Sequence, residues 1–234
     1  MKTLTIIAAA MLTLTAGPGF AAAAPAKVEA AAPTVAPPAP KLSNFADLVF
    51  AGIVGENAPE IAAELAGGIS LGTMPLVFEK TRLADIQALY GGQLHAQGDA
   101  GDAATWLCYT RHARTKADTP RTVWFASTEA TTAAGTSLDL LVVENVDAAK
   151  ASGCSSAPKA FAFPTFGVPG IGATLSELKA KFGTLARDRQ GNVYYNSTRA
   201  LGDGSGNSVY QTLGYVMNRK GVALGIAISQ QTTH

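Results

Sequence analysis

From Thr81 to Gly92 the chain reads TRLADIQALYGG, and from Ala173 to Thr184 it reads ATLSELKAKFGT. At a constant offset of 92 residues, Leu83 matches Leu175, Ile86 matches Leu178, Ala88 matches Ala180, Tyr90 matches Phe182 and Gly91 matches Gly183. Apolar side chains at i and i+3 with an aromatic at i+7 define one face of a helix. The glycine that closes each run tolerates the left-handed position just past a helix end. In the second copy Thr174 and Glu177 also form a capping-box pair.

After each helix come short β-branched and aromatic runs bounded by Gly, Asn, Asp and Thr, the marks of antiparallel strands. The first set is WLCY (Trp106 to Tyr109), TVWFAS (Thr122 to Ser127) and SLDLLVVENV (Ser137 to Val146). The second is VYY (Val193 to Tyr195), VYQTLGYVM (Val209 to Met217) and VALGIAIS (Val222 to Ser229). Arg219-Lys220-Gly221 and Ala134-Gly135-Thr136 mark hairpin turns. The pattern predicts an α+β fold of two tandem units, each a short helix or helix pair packed on a small antiparallel sheet. NFADLVFAGIVG (Asn44 to Gly55) and APEIAAELAG (Ala58 to Gly67) read as one or two further helices, the second with Pro59 in its first turn. Residues 42–160 are assigned to the first unit and 161–234 to the second. Lacking a disulfide, the second is expected to need docking on the first near the FAFPTFGVPG connection.

The N-terminus changes the picture of where the chain works. Lys2 precedes an apolar run from Leu4 to about Leu14, then Gly17-Pro18-Gly19 and the small residues Ala21-Ala22-Ala23. This predicts a secretory signal peptide over residues 1–23. The run is short of the roughly 20 residues a membrane-spanning helix needs. No cysteine stands nearby to take a lipid, so no stable membrane anchor is expected after cleavage. Residues 24–41, rich in Pro and Ala, cannot bury enough surface to fold and read as a linker. The mature chain is expected to be periplasmic or secreted. Cys108 and Cys154 are the only cysteines, and an oxidising compartment predicts that they form a disulfide.

The chain has 18 basic and 17 acidic side chains. Such a balance supplies no field to attract nucleic acid. The local patch Arg111-His112-Ala113-Arg114-Thr115-Lys116, followed by Arg121, reads as a solvated loop between strands.

The glycine-led turn into an amphipathic helix closed by an aromatic-glycine pair, GIGATLSELKAKFG, resembles the helix-plus-sheet unit of the β-lactamase-inhibitor proteins. It is also similar to the small outer-membrane assembly lipoproteins that share that architecture. The tandem copies and the expected disulfide within one of them look like the inhibitor proteins in particular. The resemblance spans roughly Gly67 to Gln230 and implies a binding role.

Motifs for catalysis are weak. Gly68-Ile69-Ser70-Leu71-Gly72 fits the G-x-S-x-G pattern, but a nucleophile elbow needs a strand before the serine and a helix after it. Here a helical pattern precedes Ser70 and a strand-like run follows, so the glycines read as a helix stop and a turn. Gly202 to Ser208 places Asp203, Ser205 and Asn207 at alternate positions without the rest of a calcium loop. It reads as a hairpin loop. Asp99 and Asp102 share a glycine-rich loop, and no phosphate loop or zinc motif is present. No catalytic residue, metal ligand or cofactor is predicted.

What remains is surface. A sheet covered by helices on one face leaves the other open, and aromatic side chains are enriched at binding hot spots. Trp106, Tyr109, Trp124, Tyr194, Tyr195, Tyr210 and Tyr215 lie in the predicted strands, and alternation sends some of them outward. Tyr194 and Tyr195 are adjacent, so one of the two is expected on the open face. The sequence therefore predicts a non-enzymatic protein-binding module, an inhibitor or envelope-assembly factor, whose partner is another envelope or extracellular protein. The alternatives are a small serine hydrolase using Ser70 and a carrier of small apolar ligands.

Overall fold

The computed structural model describes residues 58–97, 104–111, 119–128, 136–145 and 153–233. All of these belong to one compact unit, Pro37–His234. The predicted signal peptide, linker, helix over Asn44 to Gly55, turn at Ala134-Gly135, acidic loop at Asp99 and Asp102, and loop from His112 to Lys116 lie outside them. The chain is an α+β protein in which an antiparallel sheet dominates. In order, the described elements are β1 (Ser70–Leu71), β2 (Met74–Pro75), α1 (Leu83–Tyr90), β3 (Leu94–Gln97), β4 (Ala104–Arg111), β5 (Arg121–Ser127) and β6 (Leu140–Glu144). They continue with β7 (Ser155–Ser156), α2 (Leu175–Phe182), β8 (Val193–Ala200), β9 (Ser208–Met217) and β10 (Ala223–Thr232).

The main sheet runs β3-β4-β5-β6-β10-β9-β8, every neighbouring pair antiparallel, and β7 adds to β4 in parallel. Strands from the two halves of the chain thus share one ladder, joined where β6 pairs with β10 through Val142↔Ala227 and Val143↔Ile226. β1 and β2 make a separate hairpin.

Register assigns each side chain to a face, because residues paired across antiparallel strands point the same way. One face carries Leu107, Tyr109, Val123, Phe125, Leu141, Val143, Ile226, Ile228, Leu213, Tyr215, Val193 and Tyr195. All are buried in one continuous core with Leu83 and Ile86 of α1 and Leu178 of α2. The two short helices therefore lie on the same side of the sheet.

The ends of α2 are fixed as the pattern predicts, whereas Gly91, which closes α1, has a positive φ of 67° but an extended ψ of -148°. Thr174 and Glu177 satisfy each other's backbone N–H groups, and Gly183 takes a left-handed conformation, φ 75°. At α1 the side chain of Asp85 accepts from the backbone N–H and the guanidinium of Arg82.

Both helices are tied to the sheet by backbone bonds of the same kind. Leu83 N–H donates to Thr136 C=O and Leu138 N–H to Thr81 C=O; likewise Leu175 N–H donates to Gly221 C=O and Ala223 N–H to Ala173 C=O. The helix starts are thereby stitched to the residues leading into β6 and β10.

The helix expected over Ala58 to Gly67 does not form. Glu60 instead bridges Asn196 of β8, with Ile61 N–H donating to Asn196 C=O and Asn196 N–H to Pro59 C=O. Leu65 and Ala66 are buried, and the side-chain carbonyl of Gln211 accepts from both of their N–H groups. Pairing with the edge of β8 and the core outweighed the helical propensity of this alanine-rich run, a preference of at most about 0.7 kcal/mol per residue among ordinary residues. With no helix to end, the helix-stop reading of Gly67 and Gly68 falls, although Gly68 does take a positive φ of 68°; the turn reading of Gly72 agrees with its positive φ of 64°.

Candidate interaction surface

The second face of the sheet carries His95, Trp106, Cys108, Trp124, Ala126, Leu140, Val142, Ala227 and Tyr194, and an aromatic patch there is what strand alternation predicts. The patch is not open, and the expectation of an exposed face is corrected. Trp106 is 0 % exposed, Trp124 2 % and Tyr194 6 %. They form a second apolar cluster, against which Ala58, Cys154 and Val216 pack. A sheet buried on both faces needs apolar residues at successive positions, which is what WLCY and TVWFA supply.

Tyr194 and Tyr195 do point to opposite faces, yet both are buried because both faces are covered. Burial pushes both phenols up to about 12, with Asp188 beside Tyr194 as a further cause. Tyr195 and Tyr109 have matching structural tasks. Tyr109 Oη donates to Gly91 C=O at 2.6 Å and Tyr195 Oη to Thr184 C=O at 3.0 Å, each securing the carbonyl that follows a helix. Tyr215 Oη, also fully buried, donates to Pro169 C=O at 2.7 Å and holds the connection into α2. A hydroxyl whose ring fills a core and whose oxygen finds a carbonyl is a packing element.

Of the seven aromatic residues predicted from sequence, Tyr210 alone is well exposed, at 47 %. It lies on β9 opposite Thr198 of β8, on the second face. β8 is the terminal strand of the sheet. Its outer edge is capped at Asn196 by the chain around Glu60, but beyond buried Ser197 the residues Thr198, Arg199 and Ala200 are exposed. Asn196 turns its backbone N–H and C=O outward, so the two-residue period turns those of Thr198 and Ala200 outward as well. Among the described residues nothing bonds them. Leu201, 42 % exposed, follows at once. Tyr210 and Leu201 are thus brought beside a strand edge that no described residue pairs, a juxtaposition that depends on strand order and that no local motif marks.

Cys108 and Cys154 form the predicted disulfide, with an S–S distance of 2.17 Å and Cα atoms 5.0 Å apart. Cys108 is buried beside Trp124, its cross-strand partner. The bridge holds the chain leading into β7 against β4.

Ser70 sits in β1, where its hydroxyl shares a hydrogen bond of 2.8 Å with that of Thr165. Among the described residues no hydrogen bond joins it to an imidazole. Asp203 accepts from the backbone N–H and hydroxyl of Ser205 in the β8–β9 loop, which holds its carboxyl below the usual range. Among the described residues no cluster of three or more His, Cys, Asp or Glu side chains could hold a metal. No described helix is long and apolar enough to cross a membrane.

The basic patch also takes a form the sequence did not predict. Arg111 and Arg121 are cross-strand partners at the ends of β4 and β5 and lie over one ring, that of Phe163, at 4.8 and 5.4 Å from its centroid. Compared with known proteins, the chain matches no protein-family profile, no curated protein and no solved structure.

Proposed function

We propose that this chain is a non-enzymatic protein-binding module of the periplasm or the extracellular space, acting after removal of a signal peptide over residues 1–23. Its partner is another envelope or extracellular protein. The observation that carries the reading is the edge of β8 beyond Asn196, which no described residue pairs and which is flanked by exposed Tyr210 and Leu201. An unpaired strand edge offers main-chain hydrogen bonds to an extended segment of another chain, and adjacent apolar pockets or aromatics supply selectivity. The chain around Glu60 already uses this edge at Asn196. A partner strand would continue the same ladder along Thr198 and Ala200.

Two related α+β units, as in the β-lactamase-inhibitor-like architecture, account for the arrangement. The matching helix-to-sheet bonds at Leu83 and Leu175 and the matching tyrosines Tyr109 and Tyr195 support this reading. So does the pairing of β6 in the first half with β10 in the second. The disulfide supports an oxidising compartment.

The test is site-specific photocrosslinking in cells, with a photoreactive phenylalanine analogue at position 210 and, as a control, at Leu89, which is 60 % exposed on α1. A discrete adduct from position 210, lost when Thr198→Pro removes an edge N–H, is expected. Equal adducts from both positions, or none from 210, would refute an interaction through this edge.

A further inference from the structure

The start of β5 lies beside a cavity of ≈ 230 Å³, lined by Arg121, Val143, Thr165, Phe166, Val168 and Ile171 among others. Drug-sized pockets run from about 300 to 1,000 Å³. This one suits a molecule about the size of an amino acid. Its walls divide in two: Val143, Val168 and Ile171 are apolar, whereas Arg121 and Thr165 are polar.

Arg121 is placed at a cost. It faces Arg111 directly across the β4–β5 ladder, and like charges opposite one another destabilise a strand pair. Burial and the Arg111 charge together make its protonated form harder to keep, lowering its pKa from the ordinary value. Among the described residues the single ion pair is Arg82 with Asp85, far along the chain, so neither guanidinium has a carboxylate partner there. The Arg121 Nε–H donates to Asn145 Oδ1, and both guanidiniums lie over the Phe163 ring, whose π face attracts cations. These contacts orient the two arginines and leave the net positive charge in place.

We propose that the cavity at Arg121 is a binding site for a small organic acid, its carboxylate held by Arg121 with Arg111 beside it and its short apolar part lodged against Val143, Val168 and Ile171. Guanidinium geometry matches a planar carboxylate through two parallel hydrogen bonds. An anion at this point relieves the repulsion between the arginines, so the site is better balanced when filled. The site is separate from the β8 edge and stands whether or not a protein binds there.

The probes are hexanoate and its uncharged counterpart hexanamide, titrated into mature protein and followed by the arginine Nε–H and backbone amide signals in nitrogen-15 NMR. Hexanoate is expected to shift the Arg121 Nε–H signal and the amides of residues 165–171 saturably, with millimolar or tighter affinity. Hexanamide should bind at least about tenfold more weakly, as should hexanoate to Arg121→Gln, while Arg121→Lys retains part of the affinity. Arg111→Gln, altered at an exposed position, should weaken hexanoate binding by a smaller factor and keeps the test open if position 121 tolerates no change. No saturable shift with hexanoate, equal binding of the amide, or unchanged binding in both glutamine variants would overturn the assignment.

Discussion

Breaking the bridge between Cys108 and Cys154 should weaken the fold mainly through the unfolded chain. The two cysteines are 46 residues apart, and the loop they close contains β5 and β6. The loop-entropy relation gives a stabilisation of about 4 kcal/mol at 25 °C for a loop of that length. For a chain of this size each kcal/mol moves the melting temperature by about 2–4 °C, so an 8–16 °C fall is expected on reduction. Because β4, β5 and β6 are paired independently of the sulfurs, the native sheet should survive. The assay is urea unfolding of the mature protein, oxidised, reduced, and as the Cys108→Ala/Cys154→Ala double variant. Losing the cross-link lets the unfolded chain expand, so the denaturant slope should rise as the midpoint falls. The variant adds a packing loss, since Cys108 is 1 % exposed and sits against Trp124, so it should be less stable than the reduced protein. An unchanged midpoint in both reduced protein and variant would refute the reasoning. A reduced protein without a cooperative transition would show instead that the bridge is required for the fold itself.

Two further outcomes follow from single buried groups. Tyr215→Phe leaves Pro169 C=O without its donor and should cost about 1–3 kcal/mol by urea unfolding, with Tyr210→Phe as the surface control that stays near wild type. His95 is buried and stacked on Trp106 at 5.8 Å, and burial lowers its pKa below the ordinary 6.5. The unfolded state therefore takes up the proton first. The His95 contribution is complete above pH 6.5 and is lost as pH falls toward the folded-state value, with a slope approaching 1.4 kcal/mol per pH unit, about that of one proton. Stability curves of wild type and His95→Gln at neutral and mildly acidic pH should converge on acidification; parallel curves would refute the linkage.

The sequence by itself determined the elements whose signals are local. Both helices were legible from a face of apolar residues three and four apart and from the glycine that ends each one, and Thr174 with Glu177 marked one start before any neighbour was known. Strands β4, β5, β6, β8, β9 and β10 follow from short β-branched and aromatic runs, whereas β3 and β7 carry no such run, and the hairpin at Arg219-Lys220-Gly221 follows from its glycine, φ 73°. The cysteine pairing needed only a count of two and an inferred oxidising compartment.

Strand order, by contrast, is a choice among distant partners, and only the tertiary structure decided it. Pairing of β6 with β10 merges the two halves into one ladder, and nothing near Val142 or Ala227 encodes the other's position. The same choice leaves β8 at an edge and exposes Tyr210 there. Ala58 to Gly67 became an edge-bridging segment because Asn196 and Gln211, over 130 residues away in sequence, offered its backbone partners, which a window of helical propensity cannot register. Alternation correctly sent Tyr194 and Tyr195 to opposite faces. Whether a face is open depends on what else packs against it, and the period of a strand carries no information about that.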